Sequence, residues 1–184
     1  EGSYDMTSGV FEGEAAGEHI DLSSLPVGIS ASGIVSGSGK AKGIYKEGAL
    51  SLEMASGEMD GAGLSYENMA AGKVSGFGSY RDGDWHGVFY GMDLSYDGMS
   101  MDTLSGEVAS RGGVMDISYL TGTSGEGAFT VKGKYGPYLS LSGEASSIDL
   151  SGLSGLSGMD MAGRLSGRFV VSGSREDPSG AADF

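Results

Sequence analysis

Side chains with acid–base or ligating potential are few and dispersed in this chain. There are two histidines, His19 and His86, and no cysteine. His86 closes the run Asp82-Gly83-Asp84-Trp85-His86, which sets carboxylates beside an imidazole, a pairing used in general acid–base catalysis and in metal binding. The run reads more simply as a charged hairpin turn followed by a strand, because Asp-Gly tolerates the positive φ of a tight turn. There is no Ser–His–Asp ordering and no HExxH, and abundant serine singles out no nucleophile. Asp60, Asp82, Asp84 and Asp97 keep no fixed spacing, and the nonapeptide of calcium-binding β-rolls is missing. Ser36-Gly37-Ser38-Gly39-Lys40 has the composition of a phosphate loop. Such a loop must open a helix, so the run is expected to be turn material. An enzyme is not expected, and no metal or cofactor is called for.

The elements that would position any site have a hydrophobic period of two. Leu50, Leu52 and Met54 alternate with Ser51 and Glu53, and Val88, Tyr90, Met92, Leu94 and Tyr96 with Phe89, Gly91, Asp93 and Ser95. Phe129 and Val131 flank Thr130, and Leu139 and Leu141 flank Ser140. Alternation of this kind gives a strand one apolar and one polar face. No segment carries a 3.6-residue stripe, and frequent glycine penalises any helix. Turn signals recur at Lys46-Glu47-Gly48, Arg81-Asp82-Gly83-Asp84, Tyr96-Asp97-Gly98 and Tyr135-Gly136-Pro137. The fold class is therefore all-β: a mostly antiparallel meander with strands of about five to eight residues. Interior glycines such as Gly76, Gly91 and Gly167 permit strong curvature.

Composition narrows the function classes. The chain has 184 residues, 36 of them glycine and 3 proline, yet its hydrophobic fraction of 39% is too high for a disordered segment. Glycine keeps no three-residue period, which excludes collagen. The formal charge of −14, with only 11 basic residues, disfavours nucleic acid and anionic membrane surfaces as partners. No apolar run is long enough to span a bilayer, and Glu1 does not open a signal peptide.

The chain also repeats itself. Ile29–Gly43 matches Met159–Gly173 without a gap, pairing Gly33 with Gly163, Ser36 with Ser166, Gly37 with Gly167 and Gly43 with Gly173. Each copy follows the same tetrapeptide, Ile20-Asp21-Leu22-Ser23 or Ile148-Asp149-Leu150-Ser151, and Met92-Asp93-Leu94-Ser95 precedes a third, shorter version. Repeat-like units at about 20–43, 92–108 and 148–184 make residues 1–184 one repetitive β segment. The last stretch, Gly163–Phe184, begins a strand after Pro178 that stops mid-pattern, so the expectation is an excerpt of a longer protein.

The run Ile148-Asp149-Leu150-Ser151, Leu153, Leu156, then Gly163-Arg164-Leu165-Ser166-Gly167-Arg168-Phe169-Val170-Val171-Ser172-Gly173 with Pro178, Gly180 and Phe184 resembles the repeat of TamB/AsmA-like proteins. Ile20–Gly43 is a weaker copy without the proline turn. The resemblance implies a β-taco, an open U-shaped trough with an apolar inner face. It further implies a periplasmic location in a diderm bacterium, with the parent protein anchored in the inner membrane. The implied function is a bridge that shields phospholipid acyl chains between the two membranes, with an outer-membrane β-barrel as a partner of the parent. On this reading the groove-lining candidates are Leu50, Leu52, Met54, Val88, Tyr90, Met92, Leu94, Phe129, Val131, Leu139, Leu141, Ile148, Leu150, Leu165, Phe169 and Val171. Alternation alone favours a dry β core built from the same residues, and the resemblance reverses that order. Two other functions stay open: a structural or adhesive β-solenoid of a bacterial surface protein, and a β-augmentation scaffold for outer-membrane proteins.

Overall fold

The computed structural model describes residues 1–24, 30–97, 99–149 and 162–183. The strands are β1 (Gly2–Tyr4), β2 (Val10–Asp21), β3 (Ala31–Lys46), β4 (Ala49–Tyr66), β5 (Met69–Arg81), β6 (Asp84–Tyr96), β7 (Met99–Arg111), β8 (Val114–Ser124), β9 (Gly127–Tyr135), β10 (Tyr138–Asp149), β11 (Arg164–Ser174) and β12 (Pro178–Asp183). A 3-10 turn at Leu22–Ser24 follows β2. Together they form one 12-stranded sheet in which spatial order equals chain order. Every neighbouring pair is antiparallel. The fold is thus an open, curved all-β meander. Among the described residues no helix is long and apolar enough to cross a membrane.

The turns fall where Asp-Gly and Glu-Gly pairs place them. Lys46 pairs with Ala49 and Arg81 with Asp84. Both central residues have positive φ, at Glu47-Gly48 (55° and 79°) and Asp82-Gly83 (50° and 95°), the geometry whose twist suits a two-residue hairpin. The strands run longer than the turn signals alone suggest: β3 has 16 residues and β4 has 18. Their interior glycines do not end them. The Ser36–Lys40 run lies inside β3 and is strand, which corrects its expected place in a turn. Its glycines pair in the ladder, so every backbone group there serves the sheet.

Bulges repeat with the sequence. In β2 the register slips between Gly17 and Ile20, and in β10 between Ala145 and Ile148. The extra residues, His19 and Ser147, have φ of 55° and 53°. Each donates its backbone N–H to a serine on the next strand, His19 to Ser36 Oγ (3.0 Å) and Ser147 to Ser166 Oγ (2.8 Å). Beyond the bulge Ile20 pairs with Val35, and Ile148 with Leu165. In Met92–Ser95 the positive φ falls inside the tetrapeptide, at Asp93 (53°). There Leu94 leans over Gly91 as Ile20 leans over Gly17.

No second layer covers this sheet among the described residues. Ala71 is their one buried apolar residue, and no large side chain is fully buried. The chain exposes 11963 Å², against about 8,200 Å² for a compact monomer of its mass. A dry core built from the alternating residues is therefore absent among the described residues.

Candidate functional site: a glycine-floored groove across the strands

Residues paired directly across a ladder project from the same side of a sheet. On this basis one face is apolar from β2 to β11. It carries Phe11, Val35, Leu52, Val74, Phe89, Leu104, Leu120, Phe129, Leu141 and Phe169, with glycines between them. The other face carries the ion pairs Lys134–Asp116 (3.2 Å) and Arg168–Glu144 (2.9 Å), with Arg164–Glu126 (2.5 Å) at one end of β11 and a His86–Glu107 hydrogen bond (3.1 Å) between β6 and β7. All are solvent-accessible, so each contributes only about 0.2–1 kcal/mol.

Over most of the apolar face, glycines serve as seats for phenylalanine rings. Phe11 pairs with Gly43, Phe89 with Gly106, Phe129 with Gly122 and Phe169 with Gly143. A Cβ on Gly106 would meet the Phe89 ring at 2.9 Å, and one on Gly122 would meet Phe129 at 2.5 Å. The rings need the bare backbone, and they fill the space above it.

One cross-strand row of glycines from β3 to β6 seats no side chain. Gly39 pairs with Gly57, Gly57 with Gly78, and Gly78 with Gly87. This row crosses the strands at about 4.8 Å per step, so it spans about 14 Å from β3 to β6. Ala15 extends it at the β2 end, and Val108 stops it at β7. One wall is the row Ala41, Ala55, Tyr80, Trp85, and the other is the row Gly17, Gly37, Met59. The resulting groove has a volume of about 1070 Å³, and apolar atoms dominate its lining. Glu14, Lys40, Glu58 and His86 border it from alternate positions that belong to the opposite face.

Two of the floor glycines have no packing reason to be glycine. A Cβ on Gly57 would press on Ser38 O at 2.5 Å, which explains that residue. A Cβ on Gly78 would meet only His86 O at 3.9 Å, and one on Gly87 only Phe77 O at 3.8 Å, both ordinary contacts. Neither residue has a positive φ. Glycine in a strand costs about 0.5–1 kcal/mol relative to a residue with a side chain. At these two positions the glycines keep the groove open at some expense to stability.

The groove-lining candidates from the sequence split between the faces. Leu52, Leu94, Phe129, Val131, Leu139, Leu141, Ile148, Leu165, Phe169 and Val171 lie on the apolar face. Met54, Val88, Tyr90 and Met92 lie on the opposite one, paired with Lys42, Phe77, Ser75 and Lys73. The cause in β4 is a register slip at Glu53: Lys42 faces Met54, but Gly43 faces Leu52. In β6 the cause is the left-handed Asp93, which moves Leu94 out of step with Met92. Leu50 pairs with Tyr45 in the ladder. Leu150 lies outside the described residues.

None of the fourteen candidates placed on the two faces lines the large groove. Alternation finds large side chains, whereas this site is made by leaving them out. The available signal was glycine at every second position beside aromatics, as in Gly76-Phe77-Gly78-Ser79-Tyr80 and Trp85-His86-Gly87-Val88-Phe89. His86 sits on the polar face against Glu107. Asp60 lies within β4, and Asp82 and Asp97 lie at separate turns. Among the described residues no group of three or more His, Asp and Glu could hold a metal ion.

No protein-family profile matches the chain, and no curated protein or solved structure matches it either.

Proposed function

We propose that this chain is a segment of a TamB/AsmA-like bridge in the periplasm of a diderm bacterium, and that its apolar face shields phospholipid acyl chains. One observation carries the reading: the face is continuous over the sheet, no second layer of the described residues covers it, and a groove of about 1070 Å³ opens in it. Soluble proteins seldom leave an apolar surface of that extent without a use for it. The glycine floor favours a thin, flexible guest, since a partner sheet would need projecting side chains to interdigitate.

The mechanism is passive. Each methylene moved from water onto the groove is worth about 0.8 kcal/mol. Headgroups stay at the mouth in water, so specificity for them is low. No nucleophile, base or metal takes part. The inner-membrane anchor and the outer-membrane β-barrel partner belong to the parent protein, on the strength of the sequence resemblance. A closed solenoid, adhesive or structural, calls for a sealed core, and the open face argues against it.

Photocrosslinking tests this reading. A photoreactive residue in place of Tyr80, in the groove wall, should capture diacyl phospholipid. The same residue in place of Lys42, on the opposite face and outside the groove lining, should capture little. Equal capture from both positions, or none from either, would overturn the acyl-chain reading. Specific capture of an unfolded outer-membrane protein along a strand edge would favour the β-augmentation scaffold instead.

A further inference from the structure

The groove forks, and one side chain stands at the fork. A second apolar hollow of about 410 Å³ lies next to the main groove, lined by Val74, Gly76 and Phe89 and bordered by Phe77 and Val88 from alternate positions. The two share Gly57, Glu58, Met59, Gly78 and Gly87. Because Glu58 pairs with Ser38 and Phe77 on the opposite face, Met59 is the only one of these five whose side chain stands on the apolar face. It is 42% exposed, and its ladder neighbours on both sides are glycines, Gly37 and Gly76. An unbranched thioether between two glycines has no lateral support, and it can lie toward either hollow.

We propose that Met59 sets how many aliphatic chains one ligand can seat. One chain runs along the Gly39–Gly87 floor, the second enters the hollow over Gly76, and Met59 stands between them. The ligand class is then a two-chain amphiphile that straddles Met59, and a single-chain amphiphile leaves the side hollow empty. This rests on the acyl-chain reading above. It goes beyond that reading in assigning chain number to one residue.

The test compares diacyl phosphatidylcholine with its single-chain lyso form, which has the same headgroup. Both are offered below their aggregation concentrations, and binding is read by native mass spectrometry and by the emission of Trp85, the single tryptophan. In Met59→Ile, a β-branched side chain with restricted χ1 cannot swing aside, and the branched residue suits a strand. The diacyl-to-lyso preference should fall by about tenfold or more, equivalent to losing contact with about two methylenes. In Met59→Ala the preference should stay at or above that of the wild type. An unchanged ratio in Met59→Ile, with lipid still bound, would overturn the role of Met59 alone. No binding of either lipid by the wild-type chain would overturn the acyl-chain reading itself, and this proposal with it.

Discussion

One cross-strand row passes through two regions of the apolar face and changes character midway. From β2 to β6 it reads Ala15, Gly39, Gly57, Gly78, Gly87, and from β7 to β11 it reads Val108, Ile117, Gly133, Leu141, Val171. The backbone is the same kind of ladder throughout. In the second region aliphatic side chains and seated phenylalanines fill the surface, whereas in the first the row is an open floor between two walls. An apolar sheet face can therefore be made for self-packing or for a guest, and glycine placement decides which.

The sharpest way to break this comparison is to make the same substitution in both regions. Gly122→Val should drive a side chain into the Phe129 ring and destabilise the sheet by about 1–3 kcal/mol. Gly87→Val should be neutral or stabilise by up to about 1 kcal/mol. Urea melts of the two variants would read the difference directly, and equal losses would dissolve the distinction. Next in size is Phe169→Ala, which empties the seat over Gly143. Its ring is half-buried, so the cost should be about 2 kcal/mol, below the range for a fully buried phenylalanine. Val108→Gly should cost about 1–2 kcal/mol. It should also lengthen the floor by one strand, and a longer single-chain amphiphile should then bind better than a shorter one.

Much of the fold was legible in the residues. Asp82-Gly83 and Glu47-Gly48 marked turns through their tolerance of positive φ, and Leu165, Gly167, Phe169 and Val171 marked the apolar side of β11. Strand length was less legible, because interior glycines looked like breaks in β3 and β4. Sidedness failed where a bulge intervened. Val88, Tyr90 and Met92 alternate cleanly with Phe89 and Gly91, yet the apolar face of β6 is Trp85, Gly87, Phe89, Gly91 and Leu94. A one-residue shift exchanges the faces, and no local signal in Met92-Asp93-Leu94 announces that Asp93 adopts a left-handed conformation. The groove itself was hidden for a further reason: glycine adds nothing to a hydrophobic pattern.

The smallest effect lies outside both regions, at the end of β2. The Asp21 carboxylate accepts hydrogen bonds from the hydroxyl of Ser23 (2.7 Å) and its backbone N–H (2.9 Å). These hold its pKa below the ordinary 3.8, with the hydroxyl the larger cause. The folded value is depressed, so the contribution of this turn is full above the unfolded value and fades as pH falls through the folded one. A carbon-13 titration of the Asp21 carboxyl should show a midpoint below 3.8, and Ser23→Ala should move it upward. A midpoint unaffected by Ser23→Ala would remove the hydroxyl as its cause.

The claim that the β3–β6 floor is kept open for a guest meets its most direct test in the lipid content of two purified proteins. Gly78→Val combined with Gly87→Val fills the floor at the two positions where a Cβ meets no obstacle. The wild-type chain should carry phospholipid at a defined ratio after extraction and native mass spectrometry. The double variant should melt no lower and carry little or none. A double variant that is equally stable and equally loaded with lipid would contradict the account.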